Sequence, residues 1–187
     1  MALMSGYIRN QRLNAVKPYI KGDVLDIACG QANVLLHFGE KINNYTGIEF
    51  SETRVKELKS KYPTAEFFAK DLDEDDLMLS NKFDVILMIA LIEHIYNQKH
   101  LFAQILKNLK PSGKIVITTP TPFGNDIIHR YGANLGLFSK AAADDHIVIY
   151  NKKRFQILAK DFRLSIDAYK RFQLGCNQLV VLGHQNL

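Results

Sequence analysis

Two short stretches, Glu93-His94 and Asp144-Asp145-His146, carry side chains able to take a proton near neutral pH. Glu93, His94 and His146 are therefore the candidate catalytic groups, positioned to remove a proton from a hydroxyl that is about to react. Two further acids, Glu49 and Asp71, close or closely follow the apolar runs Tyr45–Phe50 and Ala65–Ala69. A carboxylate at such a strand end can accept hydrogen bonds from a ligand. The stretch Val24-Leu25-Asp26-Ile27-Ala28-Cys29-Gly30-Gln31-Ala32-Asn33 reads as a short buried strand running into a tight turn, with a helix directly behind it. Such a junction gathers backbone N–H groups and a helix N-terminus at one spot, which suits a nucleotide-like ligand. Asp71 to Asp76 begins like a calcium loop, but Asp76 takes the position that needs glycine and Lys82 that of the final glutamate. Calcium is excluded there, and Asp73 to Asp76 are expected to face solvent.

The elements that must position these residues follow from the pattern. A helix of about Tyr7 to Ile20, ended by Pro18, precedes strand Val24–Ile27, helix Ala32–Phe38 and strand Tyr45–Phe50. Ser51 can cap a helix running to Tyr62; strand Ala65–Ala69 and the near-continuous apolar strand Phe83–Ile89 come next. A helix marked by Leu101, Phe102, Ile105, Leu106 and Leu109 leads through a Pro111-Ser112-Gly113 turn into strand Lys114–Thr119. Strict alternation of strand and helix implies a parallel sheet with right-handed crossovers. After a strand-free segment, Pro122–Asp145, Asn151 can cap a helix to Lys160. Strands Leu164–Phe172 and Leu174–Leu182 then follow, too close for an intervening helix, so they pair antiparallel.

A length of 187 residues allows one α/β domain, here 1–187, with an N-terminal helix inside 1–22 and an insertion at 120–150 over the site. No apolar run approaches the ~20 residues that cross a bilayer, and Met1 to Ile20 lacks the apolar core of a signal peptide. Cys29 and Cys176 match no metal-ligand spacing, and a reducing, cytoplasmic setting is expected. The net charge is +5, and residues 1–22 hold four cations and no acid. That balance favours anionic small molecules; the scattered basic residues and lack of a separate module argue against nucleic acid.

A dinucleotide fingerprint wants Gly-x-Gly-x-x-Gly, whereas its positions here hold Ala28, Gly30 and Asn33. The stretch instead resembles the first motif of class I S-adenosylmethionine (SAM)-dependent methyltransferases, of the methyltransferase type 11/12 group, with Ala28 in place of the first glycine. Tyr45–Ser51 resembles the second motif, Ala69-Lys70-Asp71-Leu72 the third, Phe83–Leu87 with Leu91-Ile92-Glu93-His94-Ile95 the fourth, and Leu109–Lys114 the turn before strand five. The resemblance implies a Rossmann-like, doubly wound, seven-stranded sheet, mostly parallel with an antiparallel C-terminal strand.

It also implies site roles. Gly30, flanked by Ala28 and Cys29, lets the backbone approach the cofactor, and N–H groups near Ala32 face its methionine carboxylate. Glu49 accepts from both ribose hydroxyls and Phe50 lies against the adenine. Asp71 takes the adenine amino group, and the Leu72 N–H meets a ring nitrogen. Asp26 orients the amino-acid end or the turn, and carbonyls around Ile89 and Ala90 accept from the ammonium. Some relatives bind a divalent metal through Glu-x-x-Glu-His, but Ala90 takes the first glutamate's place, so no metal is expected. Phe172–Leu179 resembles the tail of methyltransferases encoded with sugar or lipid-linked saccharide pathways. Methyl transfer to an oxygen of a sugar or other anionic metabolite is the expected reaction. The alternatives are an aromatic or quinone-precursor hydroxyl, and an inactive SAM-binding module. The helix from Tyr7 and the segment Pro122–Asp145 are candidates for covering the site or for a homodimer contact.

Overall fold

The computed structural model describes residues 5–127 and 146–185. In chain order the elements are α1 (Ser5–Val16), β1 (Gly22–Ile27), α2 (Asn33–Phe38), β2 (Ile42–Glu49), α3 (Glu52–Lys61), β3 (Glu66–Ala69) and β4 (Phe83–Ile89). They continue as α4 (Gln98–Lys107), β5 (Leu109–Pro120), α5 (Pro122–Ile127), α6 (Lys152–Asp161), β6 (Leu164–Phe172) and β7 (Asn177–His184). Seven strands form one sheet in the order β3-β2-β1-β4-β5-β7-β6. β7 runs antiparallel to both its neighbours, and the other pairs are parallel. The order turns back between β1 and β4, which opens a crevice at the carboxyl ends of those strands.

Both faces of the sheet are covered, and the strands show why. Val24, Val85, Leu87 and Val116 face one layer with Leu13 and Val16 of α1, Val34 of α2 and Val55 of α3. Their neighbours Leu25, Ile86, Met88 and Ile117 face the other layer, with Phe102 of α4 and Phe155 of α6. Successive residues point to opposite faces, so a strand buried on both sides must read as a continuous apolar run. Helix starts follow local chemistry. Ser51 Oγ accepts from the Arg54 N–H (3.3 Å) at α3, and Asn151 Oδ1 from the Arg154 N–H (2.9 Å) at α6.

Several boundaries differ from the sequence expectation. α1 stops at Val16, and Pro18 sits inside a separate 3₁₀ turn, Lys17–Tyr19. β2 begins three residues earlier than Tyr45, because Ile42 pairs with Gly22. Pro111-Ser112-Gly113 is not a turn before the strand. β5 already begins at Leu109, opposite Phe83, and an irregularity takes up the residues before Lys114 pairs with Val85. β7 starts at Asn177 rather than Leu174, because Gln173, Leu174 and Gly175 all take positive φ (52°, 53° and 86°) in the connecting turn. Of the expected insertion, Pro122–Ile127 forms α5, and 128–145 lies outside the described residues. Among the described residues no helix is long and apolar enough to cross a membrane.

Candidate functional site

The turn after β1 is built from its own backbone. Cys29 N–H donates to the Ile48 carbonyl (2.8 Å) and the Ala32 N–H to the Cys29 carbonyl (2.9 Å). Of the N–H groups near Ala32 expected to face a ligand, that of Ala32 itself is thus spent inside the turn. Ala28, Gly30 and Ala32 all sit at positive φ (59°, 58° and 53°), which is costly for the two alanines and free for the glycine. A Cβ placed on Gly30 would meet nothing within 4 Å. It would fill the open cradle above the turn, so the backbone there can touch a ligand.

Beneath the turn the side chains serve the protein. Cys29 is buried, and a Cβ on Gly47 would stand 2.8 Å from its Sγ. Burial, then the Asp26 and Glu49 carboxylates, push its thiol well above the usual range, so it is no nucleophile. Asp26 is buried and accepts from the Tyr45 hydroxyl at 2.7 Å. Burial raises its carboxyl to about 7, against the opposing pull of that bond.

β2 ends next to this cradle. The Glu49 carboxylate takes the Gly30 N–H on Oε2 (3.1 Å), and on Oε1 the Ser51 N–H (3.2 Å) and Arg54 Nη1 (3.1 Å). Phe50 is 72% exposed beside it. The Lys70 N–H bonds to the Glu49 carbonyl (3.0 Å), so the end of β3 lies alongside. Asp71 Oδ1 accepts from the Asp73 N–H (3.0 Å) and the Asp71 N–H donates to Asp75 Oδ2 (2.8 Å), while the Leu72 side chain is buried in the core. Asp73 does not simply face solvent: its Oδ1 accepts from the Asn97 N–H at 2.7 Å, at the start of α4.

On the other side of the crevice β4 ends at Ile89, and Ala90 repeats the positive φ (53°) with its N–H on the Thr118 carbonyl (2.8 Å). The chain then makes a 3₁₀ turn, Ile92–His94. The Ile147 N–H bonds to the Glu93 carbonyl (2.8 Å) and draws the segment after the insertion onto this turn. As a result Glu93, His94 and His146 converge, each offering an atom within 4.8 Å of the others, with the two imidazole rings 5.0 Å apart. His146 Nδ1 lies 2.7 Å from Asn125 Oδ1. A carbonyl oxygen only accepts, so Nδ1 carries the hydrogen and the lone pair of the neutral ring lies on Nε2. Glu93 is 1% exposed, and neither carboxylate oxygen has a hydrogen-bond partner among the described residues. Burial raises its carboxyl, opposed by the local backbone and by the nearby Arg12 charge. These three groups could move a proton or hold a cation, although Ala90 supplies no ligand atom.

Sequence reasoning missed three contributors. Arg12 of α1, partly buried, donates from Nε (3.3 Å) and Nη2 (3.2 Å) to Asn177 Oδ1 at the end of the same sheet. Its 165-residue separation from Asn177 left no local signal. Arg54 reaches Glu49 only because Ser51 starts α3 there, and Asn125 reaches His146 only through α5.

A family model described as "Methyltransferase domain" matches residues 8–168. A ubiquinone/menaquinone biosynthesis C-methyltransferase of Desulfotalea psychrophila is 28% identical over 173 residues, covering 82% of this chain and 70% of that protein. A ubiquinone biosynthesis O-methyltransferase of Rickettsia akari is 27% identical over 106 residues, 53% of this chain and 40% of that one. This chain thus spans well under half the length of the second relative. The solved structure of magnesium protoporphyrin IX methyltransferase from Synechocystis, with bound S-adenosylhomocysteine (SAH), superposes with a TM-score of 0.71 at 14% identity, covering 99% and 89% of the two chains. With the sheet order, the glycine cradle and a family match over most of its length, the chain belongs to the methyltransferase-domain family and is a class I SAM-dependent methyltransferase.

Proposed function

We propose that the chain methylates a hydroxyl oxygen of a small acceptor, and that the convergence of Glu93, His94 and His146 at the end of β4 carries this reading. When bound, the cofactor supplies a methyl group on a sulfonium, which an in-line displacement transfers to the acceptor oxygen. Gly30 admits the cofactor's backbone contacts, Glu49 takes the ribose hydroxyls, and Phe50 covers the adenine. Asp71 and the Leu72 N–H read the adenine edge, while the Ile89 and Ala90 carbonyls take the ammonium. Arg12, which bonds Asn177 and whose charge acts on the nearby Glu93 carboxyl, meets the methionine carboxylate. His146, its tautomer set by Asn125, accepts the acceptor's proton through Nε2, and His94 and Glu93 hold the resulting charge beside it.

A base with an imidazole's proton affinity works best on an acidic hydroxyl. Phenolic and enolic oxygens meet that demand better than a sugar alcohol does. The Rickettsia O-methyltransferase relative favours the same side, and the Desulfotalea C-methyltransferase shares the quinone pathway but not the acceptor atom, so an aromatic hydroxyl stands ahead of a sugar oxygen. The free thiols of Cys29 and Cys176 fit a reducing, cytoplasmic setting. The experiment is a transfer assay with methyl-labelled cofactor against catechols, hydroxybenzoates and sugar nucleotides. Label should enter the aromatic hydroxyls, and His146→Ala should lower kcat by about 10²-fold or more. Label on sugars alone would reverse the acceptor assignment. Unchanged turnover in both His146→Ala and His94→Ala would end the base assignment. A second reading, a divalent cation held by the same three groups, predicts activity lost to a chelator and restored by added metal.

A further inference from the structure

Glu49 carries an acceptor balance that the ribose reading leaves unsettled. An ionised carboxylate offers about four lone-pair sites. Three are occupied by protein donors: the Gly30 N–H, the Ser51 N–H and Arg54 Nη1. One site remains, whereas a ribose diol brings two donors. One protein donor must therefore leave when both hydroxyls bind. The two backbone donors cannot: Gly30 is fixed in the turn after β1, and Ser51 is the residue that caps α3. Arg54 can, because its arm is flexible and its side chain is 45% exposed, against 9% for Glu49.

We infer that Arg54 is a positioning residue acting through Glu49: it occupies one hydroxyl's place in the ribose subsite and yields it when the cofactor binds. This rests on the reading of Glu49 as the ribose acceptor. Before binding, Arg54 keeps a nearly buried carboxylate paired and aimed at Gly30. On binding, the ribose hydroxyl replaces the guanidinium on Oε1, and Arg54 swings to solvent. The exchange makes cofactor affinity depend on a breakable, half-exposed ion pair, and it applies only to ligands that bring both hydroxyls. A singly hydroxylated ribose fits the one open site and leaves Arg54 in place.

The test is calorimetric titration of SAH and of its 2′-deoxy analogue into the wild type, Arg54→Ala and Glu49→Gln. An exposed ion pair of this kind is weak, so Arg54→Ala should bind SAH about two- to fivefold tighter. It should bind the 2′-deoxy analogue as the wild type does. Raising salt should shift SAH affinity of the wild type upward relative to that of Arg54→Ala, since it screens the pair that must break and only the wild type has that pair. A helix-stabilising role for Arg54 would shift the melting temperature without moving either the salt response or the diol discrimination. SAH binding that is weaker or equal in Arg54→Ala overturns the exchange while Glu49 keeps its role. Unchanged SAH binding in Glu49→Gln overturns the ribose reading itself, and the exchange with it.

Discussion

At the scale of single residues, the site is defined by groups placed where their ordinary behaviour is changed. Gly30 contributes by lacking a side chain: φ is +58° and the space its Cβ would take is open. Gly30→Ala should therefore cost twice, about 1 kcal/mol for the left-handed backbone and a contact in the cradle. SAH affinity should fall about tenfold or more in titration, while the melting temperature drops only about 2–4 °C. Asp26 gives a prediction of opposite character. Its folded carboxyl, raised to about 7, lies far above the ordinary value of 3.8. A raised group contributes stability that is fully present below its unfolded value and lost as pH rises through the folded one. Wild-type stability should thus decline between about pH 4 and pH 8 through this group. Asp26→Asn keeps an acceptor for the Tyr45 hydroxyl and cannot ionise. It should flatten that decline and raise the melting temperature at pH 8 relative to wild type; equal pH profiles would remove Asp26 from the account.

At the scale of elements, three strand ends do the positioning, and the backbone after two of them is under local strain. Ala28 after β1 and Ala90 after β4 both hold positive φ where glycine would rest without cost. Such strain persists only where surrounding bonds over-determine it. Here those bonds are Cys29 N–H to Ile48 in the first turn and Ala90 N–H to Thr118 at the second. Ala28 is exposed, so Ala28→Gly removes strain without opening a cavity. It should be neutral to stabilising by up to about 1 kcal/mol. Ala103→Gly, at an exposed position in the middle of α4, should cost about 0.5–1 kcal/mol in the same chemical denaturation assay. A similar loss at both sites would show that the β1 turn is not strained. The sequence already marked Ala28 and Ala90 as departures from a glycine or ligand pattern. That both adopt left-handed backbone was not legible, because φ at a turn is set by bonds to strands distant in sequence.

At the scale of the whole molecule, the two ends of the sheet do different work. The carboxyl ends of β1, β2 and β4 carry the candidate site. At the opposite end, Lys110 Nζ reaches Asp23 (2.7 Å) and Asp84 (2.8 Å), tying β1, β4 and β5 together. Hydrogen bonds from Lys110 hold both carboxyls below their ordinary value. Depressed carboxyls stabilise above their unfolded value and lose that contribution as pH falls through the folded one. Lys110→Met leaves Asp23 and Asp84 facing each other without a cation. It should lower the melting temperature at pH 7, and the deficit should shrink as the pH falls toward 3 and both carboxyls protonate. SAH affinity should not change, because the site lies at the far end of the strands. A matching loss of affinity would mean that the ends are coupled.

By itself the sequence determined the sheet and its alternation, because burial on one or both faces writes a period that any local window can read. It also determined the residue types at the strand ends, down to Gly30, Glu49, Asp71 and the Glu93-His94 pair, since turns and caps are local chemistry. Only the tertiary structure decided how those residues are used. It drew His146 onto the 3₁₀ turn through the Ile147–Glu93 bond, set Arg54 on Glu49, and brought Arg12 to Asn177 at the edge of the site. Arg54 lies only five residues from Glu49 and needs just the passage from β2 into α3, but the other two contacts join elements whose separation along the chain says nothing of their distance in space. Their geometry therefore exists only once the sheet has closed.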